Sequence, residues 1–84
     1  SRAVSKINMR LYRASLGNLG DVKPVGEGVS ELRIQYGPGY RIYFGSHGGQ
    51  TVILLCGGDK STQPKDIKLA QKYWADFLRR QQNG

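Results

Sequence analysis

Glu31, Arg33, Arg41 and Tyr43 are the residues of this sequence whose types and spacing first suggest chemistry. Glu31, Arg33 and Gln35 alternate with Leu32, Ile34 and Tyr36, and Arg41 and Tyr43 alternate with Tyr40, Ile42 and Phe44. Period-two alternation is the mark of a half-buried strand. Gly37-Pro38-Gly39 between the two runs reads as a turn, which makes them a hairpin. A three-residue loop pairs Tyr36 with Tyr40, Ile34 with Ile42 and Leu32 with Phe44, so that all six face the core. In that register Arg33 stands opposite Tyr43 and diagonal to Arg41, with backbones roughly 7–8 Å apart. Glu31, Arg33, Gln35, Arg41 and Tyr43 then share one sheet surface. Two guanidinium groups there suit an anion, because a planar fork can hold two oxygens at once.

Other chemistries are poorly supplied. Cys56 is the only cysteine and His47 the only histidine, so an internal disulfide, a cysteine-based zinc site and a two-histidine metal site are all excluded. His47 sits in a Ser-His-Gly-Gly turn. Ser61 and Thr62 read as helix-start residues, with no base beside them to make a nucleophile. The glycine-rich stretches lack the Walker pattern. One cysteine in 84 residues fits a reducing, cytoplasmic compartment. No run approaches the roughly 18 apolar residues that a membrane span needs. Thirteen Lys and Arg against six Asp and Glu give a net charge of +7. That field calls for an anionic partner: nucleic acid, an acidic protein or an anionic membrane surface.

The elements that must position these groups follow from periodicity. Residues 1–84 suffice for a single domain. Residues 1–16 read as a helix with an apolar stripe of Val4, Ile7, Leu11 and Ala14 and a basic stripe of Arg2, Lys6, Arg10 and Arg13. Gly17-Asn18 supplies a stop. Residues 17–28, with four glycines and one proline, read as an ordered loop carrying Lys23. After the hairpin strands 29–36 and 40–44, the unbroken apolar run Val52-Ile53-Leu54-Leu55 reads as a strand buried on both faces, central in the sheet. Gly57-Gly58-Asp59-Lys60 is a loop. Pro64 and Asp66 mark the start of a helix whose apolar stripe is Ile67, Ala70, Trp74, Phe77 and Leu78, with a polar tail from about residue 80. The order helix, three strands, helix predicts an α+β fold with an antiparallel sheet and helices packed on one face.

Two segments are specific enough to suggest a family. "GNLGDVKPVGEGVSELRIQYGPGYRIYF" (residues 17–44) and "VILLCGGDKSTQPKDIKLA" (residues 52–70) resemble the RelE/HigB-like addiction-module toxins, and within them the phage-derived killer-protein branch. The resemblance implies a twisted antiparallel sheet with helices packed on one face and a basic RNA site on the other. It also implies cleavage of mRNA, commonly on the ribosome, without metal or cofactor, and restraint by a cognate helix-turn-helix antitoxin. Members of that family open with a strand and a helix ahead of the point where Ser1 stands, so those two elements are expected to be missing here.

By the same resemblance Arg41 contacts the scissile phosphate and Arg33 is a second phosphate clamp. Lys60 stabilises transition-state charge, and Glu31 is a candidate general base. Tyr43 faces the basic surface and can stack an RNA base, whereas Tyr40 is expected in the core. Lys23 is expected to reach RNA, and Lys6, Arg10 and Arg13 to hold RNA or an acidic antitoxin segment. Two other readings stand beside this one. The first is a ParE-like toxin that shares the fold and poisons DNA gyrase without catalysis. The second is a truncated, inactive fragment that only engages antitoxin or RNA.

Overall fold

The computed structural model of the protein describes residues 2–15 and 20–83. The chain runs as α1 (Arg2–Ser15), β1 (Val22–Gly26), β2 (Val29–Ile34), β3 (Tyr40–His47), β4 (Gln50–Gly57), a single 3₁₀ turn (Lys60–Thr62) and α2 (Gln63–Asn83). The four strands form one antiparallel sheet in the order β1-β2-β3-β4. The class is the α+β arrangement that the periodicity predicts. The expected helix stop at Gly17-Asn18 lies outside the described residues.

Three features differ from expectation, each for a physical reason. The glycine-rich segment after α1 contains a strand, β1, instead of being loop throughout. Its Pro24 donates no amide, which an edge strand tolerates, and a bulge follows between Pro24 and Gly26. Glu27 and Gly28 then turn the chain with φ of 56° and 84°, the double positive φ of a tight two-residue hairpin. The central hairpin is shifted by two residues from the expected register: Ile34 pairs with Tyr40, Leu32 with Ile42, Arg33 with Arg41 and Glu31 with Tyr43. Its loop is 35–39, closed by the Gly39 amide donating to the Tyr36 carbonyl at 3.1 Å. Because side chains alternate with a period of two, this shift changes every partner and no face. Finally, β4 is an edge strand, not a central one, and Ile53 is 48% exposed.

The sheet is buried on both sides. On one face Leu32, Ile34 and Ile42 pack with Ile7 and Leu11 of α1. On the other Val29 and Tyr43 pack with Ala70 and Trp74 of α2, joined by Val25, Leu55 and Ile67. The helices therefore cover opposite faces, where the order of elements and the resemblance placed them on one. Hydrophobic burial of this kind is worth about 1.5–3 kcal/mol per large side chain. Trp74 lies so close to β3 that a Cβ on Gly45 would come within 2.6 Å of its ring, which explains a glycine in mid-strand. No helix among the described residues is long and apolar enough to cross a membrane.

Candidate active site

The α2 face of the sheet is divided in two. Its far part, around Val29 and Tyr43, is core. Toward the tip of the central hairpin the same face carries Glu31, Arg33 and Arg41. Tyr43, expected to face RNA, is fully buried beneath α2, and burial together with the Glu31 carboxylate beside it pushes its phenol well above the usual range. It is a core residue and cannot stack a base. Charged alternation marks this strand face as polar, but α2 closes over the part around Tyr43.

Glu31 is the organising group. Its carboxylate is completely buried, and both oxygens are engaged. Arg33 Nε donates to Oε1 at 3.1 Å; Tyr43 Oη and Gln63 Nε2 donate to Oε2 at 2.9 and 2.8 Å. Arg41 Nε lies 3.8 Å from Oε2. Burial by itself would raise the pKa of this carboxyl. The hydrogen bonds from Gln63, Arg33 and Tyr43, with the charge of Arg33, outweigh it and hold the group below its ordinary 4.5. Glu31 stays ionised and fixes what surrounds it.

The two arginines that it holds differ in exposure. The Arg33 side chain is 40% exposed, that of Arg41 only 7%. Arg41 Nη1 donates to the Gly39 carbonyl at 3.3 Å, and its buried Nε has no hydrogen-bond partner. Leaving such a donor without a hydrogen bond costs about 1–3 kcal/mol, offset in part by the charge of the Glu31 carboxylate 3.8 Å away. Beside it opens a groove of ≈ 230 Å³ lined by Arg33, Pro38, Gly39, Tyr40, Arg41 and Lys60. Lys60 is exposed and begins the 3₁₀ turn, which Asp59 caps by accepting from the Ser61 amide at 2.8 Å.

A second, larger groove of ≈ 400 Å³ lies between α1 and the end of β2, lined by Lys6, Met9, Arg10, Arg13, Asp21, Arg33 and Tyr36 among others. Arg33 lines both. The fold thus brings Arg33, Arg41 and Lys60 to one groove and sets the basic stripe of α1 along its neighbour. Lys23 stands apart on edge strand β1, exposed and paired in register with Glu31.

One group has no signal in the sequence. Gln63 reaches Glu31 across 32 residues, and nothing in its neighbourhood of sequence signals that contact. Tyr40 packs against the core as expected, half-buried, and also lines the groove.

The sequence pattern of the phage-derived Gp49-like proteins matches residues 7–75. An uncharacterized protein of Haemophilus influenzae is 59% identical to this chain over 70 residues, which make up 83% of this chain and 71% of that relative. No solved structure matches the chain.

Proposed function

This chain belongs to the family of phage-derived Gp49-like proteins, which is associated with toxin–antitoxin modules, and from that premise we propose that it is a RelE/HigB-like toxin, an endoribonuclease that cleaves mRNA. The observation that carries this reading is the joint anchoring of Arg33 and Arg41 by one buried carboxylate, at a groove that also holds Lys60. Preorganised cations at a fixed site are what phosphoryl chemistry requires, since charge accumulates on phosphate oxygens as the reaction proceeds.

In the proposed step the ribose 2′-oxygen bonds to its own phosphorus while the bond to the 5′-oxygen breaks. The 2′ proton passes to solvent, and the products are a 2′,3′-cyclic phosphate and a 5′-hydroxyl. Arg41 binds the non-bridging oxygens through the groove side of its guanidinium, while its buried Nε faces Glu31. Arg33, more exposed, steadies the same phosphate from the neighbouring groove. The Lys60 ammonium stabilises the extra charge and protonates the leaving oxygen. Glu31 is sequestered from any 2′-hydroxyl, so its part is to position the arginines. Lys6, Arg10 and Arg13 hold the backbone of the substrate strand as it leaves Arg33. The proposed setting is the cytoplasm, with mRNA engaged on the ribosome and a helix-turn-helix antitoxin as the restraining partner.

The test is primer extension on a reporter mRNA in a translating bacterial extract, with this protein beside Arg41→Ala. Discrete cuts that fall by at least about 10²-fold in the variant support the proposal. Cuts of equal strength with both proteins move the active site elsewhere. Intact message under arrested translation sinks the nuclease reading.

A further inference from the structure

The whole net charge of the protein resides on its two helices. α1 carries four cations and no acid, and α2 carries five cations and two acids. The strands and loops hold the remaining four cations and four acids and are neutral in sum. Because the helices cover opposite faces of the sheet, the positive charge is presented on both outer sides of the molecule. The α1 side is accounted for by the groove at Arg33. The α2 side is not.

On α2 the buried positions are Ala70 and Trp74. Lys65, Lys68 and Lys72, at i, i+3 and i+7, lie on the exposed side and make no ion pair with any described residue. Arg80 continues the row, and the acid that interrupts it, Asp76, is tied to Arg79. The stripe from Lys65 to Arg80 is about 22 Å long at 1.5 Å per residue. It starts shortly after Lys60 in the chain, and Lys60 lines the groove beside Arg41.

We propose that the exposed face of α2 is a second RNA surface, one that takes the sugar-phosphate backbone of double-helical RNA while the unpaired strand lies on the α1 side. Charge complementarity chooses this occupant. The core of a protein interface is depleted in charge and rich in large apolar groups. This face offers only Leu69 and Tyr73 as partly exposed apolar side chains, at 37% and 41%, set among lysines. Lysines are compact point charges on flexible stems, suited to a phosphate row that carries no sequence information. A-form RNA presents such a row across its shallow groove. The inference does not depend on cleavage; it holds equally for a protein that binds RNA and leaves it intact.

The experiment is fluorescence anisotropy with a labelled RNA hairpin and, separately, a labelled unpaired oligonucleotide, between about 50 and 200 mM salt. The triple variant Lys65→Gln/Lys68→Gln/Lys72→Gln is set against a variant that loses three charges from α1, Arg2→Gln/Lys6→Gln/Arg13→Gln. The α2 variant is expected to lose roughly 10-fold or more of hairpin affinity, with a salt slope shallower by about two, and to bind the unpaired strand far better than the α1 variant does. Equal losses from the two variants on both RNAs overturn the proposal, because they reduce it to net charge. Undiminished hairpin binding by the α2 variant overturns it as well. If that variant instead loses the antitoxin in a pull-down, the face belongs to an acidic protein.

Discussion

At the scale of single residues, Glu31 governs both stability and site geometry. Its folded pKa lies below 4.5, held there by Gln63, Arg33 and Tyr43 against the opposing effect of burial. A depressed carboxylate contributes stability that is present above its unfolded pKa and lost as pH falls through the folded one. Urea midpoints should therefore drop as pH falls below 4.5, and the drop should flatten in Glu31→Gln. Glu31→Ala leaves the Arg41 guanidinium buried without a counter-charge and should cost about 3 kcal/mol at neutral pH. Gln63→Leu removes one donor without touching the groove cations. About 1 kcal/mol of stability should go with it, and the acid limb of the stability profile should move to higher pH. An unmoved limb would show that Gln63 does not hold the carboxylate. Tyr43 sets the alkaline side: a phenol kept neutral by burial loses stability as pH rises past 10.0, because only the unfolded chain ionises there.

At the scale of elements, Trp74 is the largest buried side chain that seats α2 on the sheet. Trp74 stacks on Phe77 with ring centroids 5.3 Å apart and lies against the bare backbone of Gly45. Gly45→Ala must push the indole or the strand aside, an overpacking that costs about 1–3 kcal/mol, and Trp74→Ala opens a cavity worth about 3–5 kcal/mol. Thermal unfolding of both variants checks the ranking, with Trp74→Ala the less stable. The bulge between Tyr43 and Phe44, which shifts the pairing of β3 with β4, accompanies an outward-facing Ile53 at the sheet edge. Such an uncharged edge is a template for strand pairing. Ile53→Lys should leave the melting temperature nearly unchanged and lower aggregation on heating, as light scattering would show.

At the scale of the whole molecule, the arrangement of charge matters more than its sum. Strands and loops that are neutral in sum lie between two positive helices. Binding to any RNA should therefore be steeply dependent on salt, falling by orders of magnitude over a few-fold rise in ionic strength. Arg33 joins the two grooves, so Arg33→Ala should weaken both strand binding and cleavage. Lys60→Ala should act chiefly on the rate. Anisotropy and primer extension on the same preparations separate the two effects.

What the sequence determined by itself is the set of local patterns. Period-two alternation put Glu31, Arg33 and Arg41 on one face of a hairpin, and that holds through a register shift of two residues because parity is preserved. Helical spacing found α1 and α2 and the apolar stripe of α2, with α2 running on to Asn83 past the expected tail at about residue 80; of the stripe expected on α1, Ile7 and Leu11 pack on the sheet while Val4 is exposed. What only the tertiary structure decided is what covers each face. Alternation says that Tyr43 and Glu31 point the same way but not that a helix lies over them. Trp74 and Ala70 close that part of the sheet, which turns a supposed RNA-stacking tyrosine into core and a candidate base into a buried anchor. Four consecutive apolar residues in β4 looked central because burial on two faces and exposure at an edge leave the same string of letters. Gln63 could not be found at all, since a hydrogen bond that spans 32 residues has no local signature.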